Sequence, residues 1–439
     1  MSPRSRRLLA LALPATVTLI ADPVMGLVDT AVVGRLGASD LGALGLAVSV
    51  LAAGSWVFNF LVFGTTSAVA RAIGGGRPEE AGRRVAHAAQ VAIGLGTAVA
   101  LVLLVVAPLL LRGLGAVEAL QEPATTYLRI RAVGIPFLLL GFVGHGAFRG
   151  VSDTRTPLAI AVGANVVNAV LTFWLVLGLG WGIAGAAWAT VAAEVLTVAA
   201  FAVLLGRTRL PLVGHGRPTL EELKVLFAVS RDLVLRTGGL VLGLLAVAAA
   251  AARVDAETAA AYQVLYQTMI LLSFLMDGLA IAGQAMVGTA LGAGDRDEAR
   301  PTGRTVLAWG VGAGIGLTLL LFAGSTAWPR LLTDDAVVLS TVAGAWWLLA
   351  LGQVVNGPVY ALDGVLMGAE DFAYLRTSTV IAGVVGGVSA QLVASAGGGL
   401  LGLWAAVQLL MVVRLVTLVW RVRGSGWLSA GEELGARRR

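Results

Sequence analysis

Asp29 is the residue in this chain best placed to do chemistry. It sits near the end of a stretch from about residue 8 to 33 that is otherwise almost wholly apolar and long enough to cross a bilayer. A carboxylate at the centre of a membrane helix costs about 3 kcal/mol even on insertion-based scales. One kept at that cost faces a cavity and handles protons or ions. Asn165, Asn168 and Thr172 lie farther along, at spacings of three and four that put them on one helix face. A buried amide beside a carboxylate gives it a hydrogen-bond partner and tunes its affinity for a proton. Asn and Thr also serve as packing glue between membrane helices. Asp29 as a neighbour favours the ion-site reading.

A second set of polar residues interrupts other apolar runs. Asn59 and Asp277, Tyr262, Gln263 and Tyr266, and the stripe Gln353, Asn356, Tyr360 and Asp363 offer amide, phenol and carboxylate groups. Such a mixture suits an amphipathic organic cation. Tyr262 and Tyr266 have an alternative reading as aromatics at the membrane interface. Arg231, Asp232 and Arg236 read as a structural ion-pair cluster, and His145 as a packing residue. Pro14 and Pro23 each remove a backbone donor from the first run and free the carbonyl four residues back. That run is therefore either able to bend or held in a static kink by its neighbours.

Other chemistry is excluded by type or spacing. There is no cysteine among the 439 residues, so no disulfide, thiol catalysis or zinc-thiolate site is available. Gly74, Gly75 and Gly76 lack the Lys-Ser or Lys-Thr that would make a P-loop. No enzyme, resident cofactor or metal is expected. Energy must come from an ion gradient, with transported protons, or sodium, as the coupling species.

The elements that carry these residues are membrane helices. Charged residues are 13% and hydrophobic ones 58%, with a mean hydropathy of +0.88; soluble domains carry about 25% charged residues. Apolar runs fall near 8–33, 41–72, 85–111, 124–148, 157–179 and 183–206, and again near 223–252, 258–291, 303–327, 341–367, 375–396 and 399–420. The fold class is therefore all-α and polytopic, with twelve transmembrane helices in two six-helix lobes. The lobes are 1–206 and 223–439, joined by a polar link at 207–222 that contains Arg207, Arg209, Pro211, Arg217 and Pro218. Arginines gather in alternate loops and at both ends (Arg4, Arg6, Arg7, Arg77, Arg83, Arg84, Arg296, Arg300, Arg304, Arg421, Arg423 and Arg437 to Arg439). The positive-inside rule puts both termini and the link in the cytoplasm. The +6 net charge is thus topological and no footprint of nucleic acid. The first run is read as a retained helix, since no small-residue cleavage site follows it.

The two halves repeat without a gap at an offset of 218: Arg35 falls on Arg253, Gly76 on Gly294, Asp153 on Asp371. Asn59 falls likewise on Asp277 and His145 on Asp363. An even number of helices per half gives both lobes the same orientation, with the symmetry axis along the membrane normal. Alternating access by rocking of the two lobes is the expected mode of action.

These features together resemble the multidrug and toxic compound extrusion (MATE) family, in its DinF-type branch. The resemblance covers essentially the whole chain. It rests on Pro14 through Asp29 continuing as Thr30-Ala31-Val32-Val33-Gly34-Arg35-Leu36-Gly37, and on Asn168 followed by Gly182-Ile183-Ala184-Gly185-Ala186-Ala187-Trp188-Ala189-Thr190. Arg231-Asp232 with Arg236, and Asp277-Gly278, resemble the DinF-type branch. The resemblance implies a monomeric antiporter of the bacterial cytoplasmic membrane that expels cationic, drug-like compounds. It implies that Asp29 is the coupling carboxylate, assisted by Asn168 and Thr190, and that Pro14 is the bending proline. Many relatives carry a second acid where this chain has Thr172. A sodium site wants more than one hard anionic oxygen, so proton coupling is expected. Sodium-coupled efflux and a lipid-linked precursor flippase of the same two-lobe plan are the alternatives; whether Arg236 faces the cavity separates the flippase. A membrane scaffold or receptor without transport would gain nothing from Asp29, Asp277 and Asp363.

Overall fold

A computed structural model of the chain describes residues 1–113, 118–208, 210 and 219–436. Arg209, Pro211, Arg217 and Pro218 of the expected link, and Arg437 to Arg439, lie outside the described residues. The helices are α1 (Pro3–Val33), α2 (Ala38–Ser55), α3 (Phe60–Gly74), α4 (Pro78–Gly113), α5 (Glu118–Gly150), α6 (Arg155–Phe173), α7 (Gly182–Leu205) and α8 (Leu220–Val254). They continue as α9 (Ala256–Gly292), α10 (Arg296–Ala323), the single turn α11 (Ala327–Arg330), α12 (Ala336–Gly368), α13 (Phe372–Ser395), α14 (Leu400–Arg423) and α15 (Gly426–Ala436). No strand occurs among the described residues. Among the described residues, twelve segments are long and apolar enough to cross a membrane. Backbone groups in lipid must be satisfied within their own segment, and only helices or closed barrels manage that. The outward side chains suit lipid: Val105 is 75% exposed and Trp420 73%.

Two details differ from the expected runs. The second run is not one helix: a 3-10 turn at Trp56–Asn59 separates α2 from α3, so Asn59 stands at a break. The fifth, α6, ends in a wider π-helical turn at Trp174–Gly178. The α1 helix runs unbroken through Pro14 and Pro23.

The chain forms two compact units, Val17–Thr219 and Met1–Thr16 with Leu220–Arg439. By contact, residues 1–16 thus belong with the second half of the sequence, and the division falls just past Pro14. The cause is local packing. A Cβ on Gly278 of α9 would lie 2.8 Å from the Ala12 carbonyl oxygen and collide with Thr16, so glycine there lets α9 seat against the start of α1. Arg4 adds an ion pair to Glu298 at 2.5 Å.

Within the first unit by sequence (Val17–Thr219), α5 packs on α4, α3, α7 and α2; within the other, α12 packs on α9, α10 and α14, and α13 on α8. The repeat is visible atom by atom. Among the described residues, Ser152 and Glu370 are the two non-glycine residues with positive φ, at 62° and 59°. The Asp153 amide donates to the Phe148 carbonyl at 2.9 Å and the Asp371 amide to the Leu366 carbonyl at 3.0 Å, both six-to-one bonds that close a helix end. A Cβ on Gly150 would meet Val69 at 2.6 Å, and one on Gly368 would meet Val287 at 3.1 Å. Each pair of helices uses a small residue for close approach, the usual device where lipid supplies no hydrophobic drive.

Candidate functional site

Asp29 lies on α1 and is 8% exposed. The Thr172 hydroxyl of α6 donates to its Oδ1 at 3.0 Å. The same hydroxyl lies 3.1 Å from Asn168 Oδ1. Asn168 Nδ2 donates to Thr190 Oγ1 of α7 at 3.1 Å, and Thr190 in turn donates to the Ala186 carbonyl at 3.0 Å. Asn168 and Thr172 are fully buried. Asn165, one turn before Asn168, donates from Nδ2 to the Ala21 carbonyl of α1 at 3.0 Å and ties α6 to α1 near Pro23. Four of the five residues expected at the ion site (Asp29, Thr172, Asn168 and Thr190) therefore meet in one hydrogen-bonded network inside one unit, and Asn165 joins α6 to α1 beside it. Helical periodicity explains this locally: 165, 168 and 172 share a face of α6, and that face turns toward α1 and α7.

The hydrogen-bonded network itself holds one carboxylate and otherwise uncharged groups, with the Arg131 guanidinium of α5 within electrostatic reach. The Thr172 hydroxyl has one proton and two acceptors within reach. It can serve anionic Asp29, or accept from a neutral Asp29 carboxyl and donate to Asn168 instead. Such a chain can reverse its polarity when one proton arrives. At the repeat offset (29 + 218 = 247), the other half has Val247, and Asn168 and Thr172 map to Gly386 and Ala390. The second half thus lacks these functional groups at the matching positions.

The residues expected to line a substrate cavity are scattered in role. Tyr262 is 3% exposed and donates to the Leu244 carbonyl at 3.1 Å. It stacks on Tyr266 with ring centroids 5.9 Å apart and meets the edge of Trp404. Tyr262 is thus buried inside its unit, while Tyr266 is half-buried and Gln263 exposed. Gln353 and Asn356 bond each other at 3.3 Å, and Gln353 also caps the Leu349 carbonyl. Tyr360 donates to Ser273 of α9 at 2.6 Å and lies within electrostatic reach of half-buried Asp277. Asn59 is half-buried at the break between α2 and α3.

Asp363 is not an open carboxylate. Its Oδ2 accepts from Arg236 Nη2 at 2.7 Å and from Arg414 Nη2 of α14. Arg414 is 1% exposed and Asp363 2%. The expected cluster of Arg231, Asp232 and Arg236 is corrected accordingly. Asp232 pairs with Arg231 at 2.9 Å and with Arg376 of α13 at 2.6 Å, beside a charged hollow of about 430 Å³. Arg236, one turn farther on, reaches Asp363 instead. His145 packs edge-on against Phe201 at 5.0 Å, as a packing residue would.

Sequence reasoning passed over Arg131, Glu194, Tyr127 and Arg414. The signal was present: each charged one interrupts an apolar run, at the same cost that drew attention to Asp29.

The MatE family model matches residues 14–174 and 240–392, one stretch in each half. The chain belongs to the MATE family. This MATE transporter is 34% identical over 440 residues to Protein DETOXIFICATION 44, chloroplastic, of Arabidopsis thaliana, with 94% of this chain and 81% of that protein covered. It is 31% identical over 433 residues to DNA damage-inducible protein F of Escherichia coli (strain K12), with 96% and 93% covered. A crystal structure of MATE in the bent conformation shares the fold with a TM-score of 0.88 at 20% identity, over 100% of this chain and 97% of that one.

Proposed function

We propose that this MATE transporter is a proton-coupled antiporter that exports amphipathic organic cations by alternating access. The observation that carries the coupling ion is the single carboxylate of the Asp29 network. One carboxylate with an amide and hydroxyls is a poor cage for sodium, which prefers several hard oxygen ligands, and a good binding place for one proton. Asp29 takes a proton from outside; the Thr172–Asn168–Thr190 chain rearranges; α1 changes shape near Pro14 and displaces the substrate. The units then rock inward, the proton leaves to the cytoplasm and a new substrate binds. Exposed Gln263 and half-buried Tyr266 are the amide and aromatic groups assigned to a planar cation. The protein works as a monomer in the bacterial cytoplasmic membrane, with both termini and the link on the cytoplasmic side. It needs no resident cofactor.

Arg236 does not by itself favour the flippase alternative: it is tied with Arg414 to Asp363 inside one unit, in a buried cluster where two guanidiniums share one carboxylate.

The test is efflux of a fluorescent organic cation from proteoliposomes, with pH and sodium gradients imposed separately. Efflux should follow the pH gradient alone, and Asp29→Asn should abolish it while the protein stays inserted and folded. Efflux driven by sodium alone would overturn the ion assignment. Wild-type efflux in Asp29→Asn would overturn the coupling residue.

A further inference from the structure

A pair of opposite charges is buried in the Asp29 unit and has no part in the cycle above. Arg131 of α5 donates from Nη2 to Glu194 Oε1 of α7 at 2.8 Å, with side chains 12% and 13% exposed. The pair is only half satisfied: Arg131 Nη1 and Glu194 Oε2 are buried without a hydrogen-bond partner. An unpaired polar atom in a low-dielectric interior is costly, so the pair has unused hydrogen-bonding capacity.

Space for it is made by Gly134, one turn beyond Arg131. A Cβ there would run into Glu194 Oε2 and sit 3.2 Å from Arg131 Nη1. One turn before each partner lie Tyr127 on α5 and Thr190 on α7, and Thr190 belongs to the Asp29 network. The groups acting electrostatically on Arg131 are Glu194, Tyr127 and Asp29. Arg131 is likewise the charged group that acts on Asp29, while α6 presents only the uncharged Asn165, Asn168 and Thr172. The charge count is then one guanidinium for two carboxylates. With both acids ionised the cluster carries an excess negative charge; with one proton bound it is neutral.

We propose that Arg131 and Glu194 are positioning residues for the coupling carboxylate, one guanidinium being shared between Glu194 and Asp29. Proton uptake at Asp29 releases Arg131 fully to Glu194, and proton loss draws it back. Glu194 thereby sets how strongly Arg131 holds anionic Asp29. This rests on Asp29 being the coupling residue.

The experiment is the pH profile of gradient-driven efflux of the same fluorescent cation, on variants first shown to insert and fold. An opposite charge near a carboxylate lowers its titration and a like charge raises it, by about 1–3 pH units at contact and less with distance. Glu194→Gln frees Arg131 for Asp29 and should lower the midpoint by about one unit. The neutral double variant Arg131→Gln/Glu194→Gln removes the cation without leaving a lone buried charge, and should raise the midpoint by about as much. Gly134→Ala reaches the pair without touching a charge; its methyl displaces the Glu194 carboxylate and should shift the midpoint in the direction of Glu194→Gln. Folded variants with wild-type midpoints, or single and double variants moving the same way, overturn the proposal. An Asp29→Asn protein that still couples efflux to protons sinks the underlying coupling reading. A dead Asp29→Asn with unmoved midpoints in the others sinks only the pair.

Discussion

Removing the carboxylate of Asp363 should damage this protein more than removing either arginine that binds it. Two guanidiniums converge on one oxygen, from Arg236 and Arg414, in a place where Asp363 is 2% exposed. Asp363→Asn leaves two buried cations without that counter-charge, and stripping one side of a buried pair costs about 3–5 kcal/mol. Arg414→Gln leaves the Arg236–Asp363 pair matched and removes one charged hydrogen bond, a loss of about 1.5–3 kcal/mol. A triple replacement, Arg236→Met, Asp363→Leu and Arg414→Met, removes every charge and should recover most of the deficit, since apolar replacements of buried ion clusters are often neutral. The assay is reversible unfolding in mixed micelles by SDS titration, followed by helical circular dichroism. Asp363→Asn no less stable than Arg414→Gln would refute the reading that this carboxylate holds both arginines. It would also reopen Asp363 as a free group for a cationic substrate.

Three more predictions concern the site and the frame that holds it. Thr172→Asp places a second acid next to Asp29, whose Oδ1 is 3.0 Å from the present hydroxyl; efflux from proteoliposomes should then become sodium-stimulated, and its absence would show that a second carboxylate is not what sodium lacks here. Gly364→Ala puts a methyl 2.6 Å from the Ala280 Cα, and overpacking of this kind should cost about 1–3 kcal/mol in the same unfolding assay; a neutral result would mean that α9 and α12 are looser than described. Asp255 caps α9 by accepting from the Thr258 amide at 2.6 Å, which holds its carboxyl below the usual range. A depressed folded-state value means that the cap's contribution is present above the unfolded titration point and lost as pH falls through the folded one. Hydrogen exchange at the Thr258 amide should therefore rise on acidification relative to the base trend, and Asp255→Asn should flatten that rise.

Much of the frame can be read from the chain alone. Twelve spans follow from hydropathy because each must satisfy its own backbone in lipid, a condition local to the segment. The repeat is equally local: Gly76 and Gly294, at φ of 67° and 74°, and the turns at Ser152 and Glu370 are set by residues within a few positions. Asp29 and the face of Asn165, Asn168 and Thr172 also declare themselves, since a polar group in an apolar run is visible without coordinates. Pairing between helices is different. Arg236 sits four residues from Asp232, yet it binds Asp363, 127 residues away. Arg131 and Glu194 are 63 residues apart. Sequence proximity favoured a wrong partner for Arg236, and the pairing of Arg131 with Glu194 went unforeseen. The grouping of residues 1–16 with the second half depends in the same way on a close approach between α1 and Gly278. Hydropathy is summed along one strand of chain and registers what must be hidden from water or lipid. Which hidden charges meet is decided by helix rotation and by the few ångströms between side-chain tips, and only the packed structure fixes those.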